Sequence, residues 1–192
     1  MAFEPAAFFD HLRDGLMGPK LDRGEVGGCS AVLDAMAGLP LAWCAYALAT
    51  VWHETNATMQ PVREAYWLSE AWRRRNLRYW PWYGRGYVQL TWQENYARAD
   101  AELGLGGSLL ADPDQALDEG VAARILRLGM SGGWFAGDAR GRHTLARHLP
   151  SAGAARERAF VAARRIINGT DRALSVARHA CQFQKALVLG RW

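Results

Sequence analysis

The sequence of 192 residues has few cysteines and only short apolar stretches, and both shortages exclude classes of protein. Its three cysteines, Cys29, Cys44 and Cys181, are far apart, which argues against a disulfide scaffold and against a zinc site. We expect small buried thiols in a chain that folds in a reducing compartment. The longest apolar run, from Leu39 to Trp52, is too short to span a bilayer, so no membrane insertion is expected.

Several sequence signals of other protein classes are also missing. The start of the chain lacks a basic region followed by a long apolar stretch, so we expect synthesis in the cytoplasm without a signal peptide. A Gly-rich phosphate loop, a Gly-x-Ser-x-Gly elbow and a nucleic-acid-binding signature are absent, so neither a cofactor nor a nucleic-acid partner is expected. Without repeats, linkers or heptads, the sequence predicts one monomeric domain over residues 1–192.

Charge and aromatic content are more informative. The net charge of +4 and the isoelectric point of about 9.2 suit an anionic partner. Two short arginine clusters, 73–75 and 164–165, lie in helical patterns, where solvated helix faces are expected. Nine tryptophans is a high number; most are expected in the core, and those near residues 54–92 are candidates for stacking on sugar rings. These candidates are Trp52, Trp67, Trp80, Trp82 and Trp92.

Helical periodicity covers most of the chain. A short extended piece is predicted over 87–91, irregular structure over 132–150, and Asp171 is expected to cap the last helix. The predicted helices cover residues 3–16, 25–37, 40–52, 66–77, 92–103, 112–128 and 156–167, followed by a last helix after residue 171. The segment from Pro40 to Trp52 carries no charge, so it is interpreted as a buried central helix.

Glu54 follows this central helix and is the first candidate for acid chemistry. Partial desolvation there would keep a carboxyl protonated near neutral pH. The plain alternative is a surface glutamate at a helix end. The preceding His53 is not part of a zinc-protease pattern, because Ala57 stands where that pattern needs a second histidine. No metal site is therefore predicted.

Carboxylate pairs are the usual means of hydrolysing glycosidic bonds: one carboxyl is the acid, and the second attacks the sugar or activates a water molecule. In inverting glycosidases the second carboxylate stands roughly 6.5–9.5 Å from the acid. Glu64 is the first choice for this general base. It can also be explained as a first-turn glutamate that complements a helix dipole. Glu70 is the second choice, although a pairing with neighbouring arginines on an exposed helix explains it as well.

A glycine- and arginine-containing motif follows the two glutamates. It consists of Tyr83, Gly84, Arg85, Gly86, Tyr87, Val88, Gln89, Leu90 and Thr91. A plain alternative for Gly84 and Gly86 is that they only supply turn conformations that other residues do not adopt. Arg85 is expected to pair with a carboxylate, and if that carboxylate were Glu64, the arginine would help to keep the base ionised.

With the His53-Glu54-Thr55 segment, this motif resembles glycoside hydrolase family 19, which includes chitinases and phage endolysins (lysozymes). The resemblance implies that Glu54 is the general acid, that Thr91 holds the attacking water, and that Gln89 binds substrate. A following asparagine and a late Ile-Asn-Gly segment contact sugar in the family. By position, Asn95 and Asn168 match them, although Asn168-Gly169 could also be only a helix stop.

The resemblance covers most of the chain, from about Ala47 to the last helix. Plant-type members are longer, carry disulfides and place their second glutamate further along, whereas the compact Met59-to-Glu64 segment resembles the phage and bacterial branch. The expected fold is mainly α, a single lysozyme-like helical domain with a central buried helix and irregular loops around a cleft. No separate wall-binding module is expected.

The sequence thus predicts a peptidoglycan-cleaving, inverting glycoside hydrolase. Glu54, Glu64 and Thr91 form its catalytic set; its substrate-binding residues are His53, Tyr83, Arg85, Gln89, Asn95 and Asn168. A chitinase acting on N-acetylglucosamine polymers and a non-catalytic wall-binding module remain alternatives. A wall-degrading enzyme without a signal peptide would need release to its substrate, for example by a phage holin.

Overall fold

A computed structural model describes residues 3–192, and helices dominate this part of the chain, as the sequence predicts. The α-helices are α1 (Pro5–Asp14), α2 (Arg23–Met36), α3 (Leu41–Glu54), α4 (Glu70–Asn76), α5 (Gln93–Leu103), α6 (Ser108–Ala111), α7 (Glu119–Gly132), α8 (Leu145–His148), α9 (Glu157–Ala163) and α10 (Ala173–Leu189). Two antiparallel pairs of short strands accompany them: β1 (Val62–Arg63) with β2 (Arg85–Gly86), and β3 (Gly137–Asp138) with β4 (Gly141–Arg142).

Helix α3 is the predicted central helix, and its buried position is confirmed. Every residue from Cys44 to Val51 is fully buried, and α10 packs along α3 while α2 covers another side. From Leu41 to Trp52 the helix carries no charged side chain on any face, which explains its place in the core. Among the helices of residues 3–192, none has the length and apolar character needed to cross a membrane.

Helix α2 is fixed at its start by reciprocal hydrogen bonds. The carboxylate of Asp22 accepts from the backbone N–H of Glu25, and the carboxylate of Glu25 accepts from the backbone N–H of Asp22. Further along, Gly28 lies directly against the segment that follows α3. A Cβ atom at Gly28 would stand 1.8 Å from the carbonyl oxygen of Met59, so only glycine allows this approach.

Two predicted helices begin several residues later than their sequence patterns indicate. The helix expected over 66–77 begins only at Glu70, because the Ser69 hydroxyl accepts from the backbone N–H of Trp72 and caps it. The helix expected over 112–128 is divided at Asp118. A 3₁₀ segment, Pro113–Leu117, precedes that residue, and Asp118 then caps α7 through the N–H of Val121.

Other local predictions were wrong in position. The extended residues are Arg85–Gly86, paired with β1, whereas Tyr87 to Gln89 form a turn that brings Leu90 back to Arg85. Asp171 does not cap α10, because the N-cap position is Arg172 and no side chain forms a cap hydrogen bond there. The carbonyl oxygen of Asp171 accepts a hydrogen bond from Nε of Arg164. The region 132–150 contains the β3–β4 hairpin and α8 rather than only irregular structure.

Candidate active site

Glu54 is the last residue of α3, and its side chain is 19% exposed. Its Oε1 accepts a hydrogen bond of 2.7 Å from Nη1 of Arg164, whose side chain is 1% exposed. The sequence predicts partial desolvation of this carboxyl, and the structure adds a buried guanidinium partner that was not predicted. The interpretation of Arg164 as part of a solvated helix face was wrong, whereas its neighbour Arg165 is exposed.

The position of Arg164 is fixed from two sides. Its Nε donates to the carbonyl oxygen of Asp171 at 2.9 Å, which ties it to the turn before α10. The hydroxyl of Tyr46, in the middle of α3, donates to the carbonyl oxygen of Ala163 at 2.9 Å. Burial raises the pKa of Tyr46 to about 12, so the hydroxyl keeps the proton that it donates. The guanidinium therefore reaches Glu54 from a rigid support.

Glu64 directly follows β1, and its carboxylate is held by the later motif. Its Oε1 accepts from the hydroxyl of Tyr79 at 2.7 Å, and its Oε2 accepts from the backbone N–H of Gly84 at 2.9 Å. The backbone of this turn is fixed by Arg73, which donates to the carbonyl oxygens of Glu64 and Ala65 at 2.9 and 3.0 Å. Arg73 is buried, so the prediction of a solvated arginine face was wrong for this residue as well.

Glu70, the alternative base, occupies the first position of α4. The first-turn explanation considered for Glu64 therefore applies to Glu70. Its Oε1 accepts from the indole of Trp80 at 2.9 Å, and its Oε2 accepts from the hydroxyl of Tyr83 at 2.9 Å and from Arg73 at 3.2 Å. Burial raises the pKa of Glu70, but hydrogen bonds from Trp80 and Tyr83 and the charge of Arg73 outweigh it, so the pKa is lowered overall.

Arg85 pairs with Asp114 and not with Glu64, the carboxylate that the sequence analysis considered. Its Nε donates to Oδ1 of Asp114 at 2.8 Å, and Arg63 holds the same carboxylate through two bonds of 2.7 and 2.8 Å. Burial raises the pKa of Asp114, but the hydrogen bonds from the two arginines outweigh it and lower the pKa overall. Asp114 lies at the start of the helix predicted over 112–128, and nothing in its local sequence indicates this role.

Tyr83 and Arg85 are both buried. The guanidinium carbon of Arg85 lies 3.6 Å from the centre of the Tyr83 ring. The Tyr83 hydroxyl donates a hydrogen bond to Glu70 and accepts one from Arg63. These contacts show that both side chains hold the turn of the motif together. Their predicted contact with a sugar stays a prediction.

Gly84 brings two polar side chains of the predicted site together. A Cβ atom at this position would stand 2.7 Å from Oε1 of Gln89 and 3.2 Å from Oε2 of Glu64. Gln89 is oriented by a bond of 3.1 Å from its Nε2 to the carbonyl oxygen of Val62, and Thr91 donates to the carbonyl oxygen of Gln89 at 2.8 Å. The predicted base and the predicted substrate-binding amide are therefore neighbours.

The remaining predicted residues lie on both sides of these carboxylates. Asn95, in α5, donates from Nδ2 to the carbonyl oxygen of Thr91 at 2.7 Å. His53 is half-buried next to Glu54, and burial lowers its pKa. Asn168 is exposed in the turn whose backbone N–H donates to the carbonyl oxygen of Arg164 at 3.0 Å. Within residues 3–192, no group of three or more His, Cys, Asp or Glu side chains is arranged to hold a metal ion.

A cleft of about 650 Å³ opens beside the segment between Glu54 and Glu64. Its walls come from the start of α2, from residues between Thr55 and Val62, and from Tyr66. Tyr66 and Trp67 are 60% and 72% exposed, and Trp80 and Trp92 are each 37% exposed. Of the tryptophans considered for sugar stacking, Trp67, Trp80 and Trp92 are thus exposed, whereas Trp52 and Trp82 pack partly against the core, and the stacking itself stays a prediction.

Comparison with known proteins identifies the fold. No protein-family model and no curated protein sequence matches the chain. Among solved structures, it is similar to chitinase C from Streptomyces griseus HUT6037, with a TM-score of 0.64 and 22% identity over 95% of this chain and 75% of that one. A mutant of chitinase C gives a TM-score of 0.62 with 23% identity over the same shares of each chain. A bacterial family 19 chitinase gives 0.57 with 22% identity over 95% of this chain and 93% of that one. The chain has the fold of the family 19 chitinases.

Proposed function

We propose that this protein is an inverting glycoside hydrolase that cleaves β-1,4 bonds in the glycan strands of peptidoglycan. The observation that carries the proposal is a pair of glutamates at the two ends of segment 55–63, each with its carboxylate held in place: Glu54 by Arg164, and Glu64 by Tyr79 and the backbone of Gly84. A pair of carboxyl groups is what glycosidic hydrolysis requires. The likeness to solved structures of family 19 chitinases supports the same reaction class.

Glu54 acts as the general acid in this proposal. Arg164 contacts only its Oε1, which leaves Oε2 without a hydrogen-bond partner among the described residues. That oxygen can carry the proton to the leaving glycosidic oxygen. Because Glu54 ends a helix packed into the core, the donor has a fixed position relative to the bound sugar.

Glu64 acts as the general base and takes a proton from the attacking water. The bonds from Tyr79 and Gly84 orient its carboxylate, and each oxygen keeps a lone pair that can accept from water. Gln89, next to Glu64 across Gly84, orients the sugar or the water, and Thr91 assists with its hydroxyl. Asn95, Asn168 and His53 complete the groove. The reaction needs no cofactor or metal.

The choice of peptidoglycan over chitin rests on charge. The chain carries a net charge of +4, and peptidoglycan is anionic whereas chitin is not. A chitinase remains the second candidate, because the similar solved structures are described as chitinases. We further propose a monomer that binds no nucleic acid, does not insert in membranes, and acts on the wall after release from the cytoplasm.

The test is digestion of purified peptidoglycan, freed of outer membrane, with products resolved by mass spectrometry. Glu54→Gln and Glu64→Gln are expected to reduce the rate by roughly 10²–10⁴ while remaining folded, because each removes one partner of the acid–base pair. Glu102→Gln, an exposed glutamate of α5, is the matched control and should retain full activity.

Each alternative has its own outcome in the same experiment. Activity lost in Glu54→Gln but kept in Glu64→Gln would move the base to Glu70, which Glu70→Gln then checks. Cleavage of N-acetylglucosamine oligomers with intact peptidoglycan untouched would establish the chitinase. Tight binding to the wall without any product from the wild type would identify a non-catalytic module.

A further inference from the structure

Two arginines lie on exposed tryptophans near the proposed base. The guanidinium carbon of Arg74 is 5.1 Å from the centre of the Trp80 ring, and that of Arg78 is 5.0 Å from the centre of the Trp92 ring. All four side chains are exposed. We refer to these four residues as the arginine–tryptophan surface.

The guanidinium groups of Arg74 and Arg78 have N–H donors without a hydrogen-bond partner among the described residues. Neither Arg74 nor Arg78 forms a hydrogen bond or an ion pair through its side chain with any residue in 3–192, whereas Arg63, Arg73 and Arg85 are all paired with carboxylates. Stacking on an aromatic ring uses the face of a guanidinium and fixes its plane. The N–H groups at its edge remain available for a carboxylate, which they can bind through two bonds.

The arginine–tryptophan surface is connected to the proposed base by direct contacts. The ring of Tyr79 lies 5.0 Å from that of Trp92 in an edge-on arrangement, and the hydroxyl of Tyr79 donates to Oε1 of Glu64. A glycan seated against Glu64 therefore runs close to Arg78. An anionic group that projects from this glycan is within reach of the unpaired guanidinium groups.

We propose that the arginine–tryptophan surface binds the carboxylates of the peptide stems of peptidoglycan and thereby selects peptidoglycan over chitin. This inference rests on the proposed function, because it assigns the substrate of the same site. Chitin carries no carboxylates, so it gains nothing from Arg74 and Arg78. Single-stranded nucleic acid also suits arginine beside tryptophan, but the contact with Tyr79 and Glu64 favours the glycan.

The test compares binding to intact sacculi with binding to sacculi whose carboxylates have been converted to neutral amides with a carbodiimide and ammonia. All proteins carry Glu54→Gln so that the wall is not digested during the measurement. Arg74→Gln with Arg78→Gln is the test variant. Arg75→Gln is the matched control, because Arg75 is exposed in the same helix but lies on no tryptophan. Thermal unfolding checks that each variant is folded.

We expect the double variant to bind intact sacculi about tenfold more weakly than the control, since it lacks two charge-assisted contacts. On amidated sacculi, which carry no carboxylates, the two proteins should bind equally. The difference on intact sacculi should shrink at high salt, which screens exposed charges.

Three results would overturn the inference. They are equal binding of both proteins to intact sacculi, an equal loss on amidated sacculi, and an effect confined to a single-stranded DNA probe. If the expected pattern appears but the wild type cleaves no glycan, the surface stands and the proposed hydrolase activity fails.

Discussion

At the scale of single residues, Arg164 determines how Glu54 is held. It is buried, its Nη1 contacts Glu54, and its Nε contacts the carbonyl oxygen of Asp171. Arg164→Met removes the hydrogen bonds of the guanidinium to Glu54 and to the carbonyl oxygen of Asp171. We expect it to lower the free energy of unfolding by about 1.5–3 kcal/mol, as the loss of a hydrogen bond to a charged group does.

Chemical denaturation measures this change, and the adjacent Arg165→Met is its control. Arg165 is exposed, so its replacement should alter the free energy of unfolding by about 0.5 kcal/mol or less. Equal stabilities of the two variants would contradict the role assigned to Arg164.

Gly84 is a second residue whose replacement has a defined consequence. Its φ is not in the left-handed region, so alanine costs no backbone strain there, but the new Cβ meets Gln89 and Glu64. We expect Gly84→Ala to lower kcat by roughly 10²-fold, because displacement of a catalytic group by about 1 Å has an effect of that size. The measurement is the rate of peptidoglycan cleavage at saturating substrate.

The control for this substitution is Gly15→Ala. At Gly15 the added Cβ meets only the carbonyl oxygen of His11, at an ordinary distance of 3.5 Å, and α1 lies outside the site. Full activity in both variants would show that Gly84 does not position the two side chains.

Residue types and spacing were sufficient to select Glu54, Glu64 and the motif around Gly84. They could not identify Arg164, which is 110 positions from Glu54 in the sequence. The same holds for Asp114, whose two arginine partners come from other segments. Partners of this kind depend on tertiary packing, and an arginine has the same local pattern whether it is solvated or buried.

At the scale of elements, the packing of α2 against the segment 55–63 supports the site. Gly28 permits this contact, because any side chain would collide with the backbone of Met59. We expect Gly28→Ala to destabilise the protein by about 1–3 kcal/mol, as overpacking of a filled core does, and to reduce activity by shifting the segment between Glu54 and Glu64.

Gly27→Ala is the matched control in the same helix. Its added Cβ would meet only the carboxylate of Glu119, at 3.2 Å, and no backbone atom. Because this carboxylate also accepts a hydrogen bond from Gln60, we expect a smaller effect at Gly27 than at Gly28. Unfolding midpoints and cleavage rates of both variants decide the matter, and a Gly28 variant as stable and active as the Gly27 variant would contradict this account.

Periodicity and charge predicted the long helices well, and α3 above all, because a charge-free helical pattern has only one environment available. The shorter elements were predicted less well. Ser69 and Asp118 each begin a helix inside a longer helical pattern, and only the bonds to Trp72 and Val121 reveal this. The β1–β2 pair joins residues distant in sequence, so no local sequence pattern predicts it.

At the scale of the whole molecule, Asp114 links β1, β2 and the 3₁₀ segment through Arg63 and Arg85. Its pKa lies below the ordinary value of 3.8 in the folded state, because these hydrogen bonds outweigh the effect of burial. A carboxyl with a lowered pKa stabilises the fold above its ordinary pKa, and that contribution is lost as the pH falls through the folded value. We therefore expect stability to decline as the pH falls below 3.8.

Denaturation at about pH 7 and about pH 3 measures this dependence. Asp114→Asn should be less stable than the wild type at the higher pH, and its free energy of unfolding should fall less on acidification. Some pH dependence should remain in the variant, because the pKa values of Glu70 and Asp138 are also lowered. An identical pH dependence in both proteins would show that Asp114 makes no such contribution.

The packing of α10 along α3 has a consequence for the order of events in synthesis. The ribosome releases α3 long before it releases α10, and the arginine that pairs with Glu54 also emerges late. The apolar nascent helix stays uncovered during this interval, when it is open to chaperones and to aggregation. Completion of the core thus comes well after the synthesis of α3, so a chain interrupted before α10 carries both glutamates and an uncovered α3.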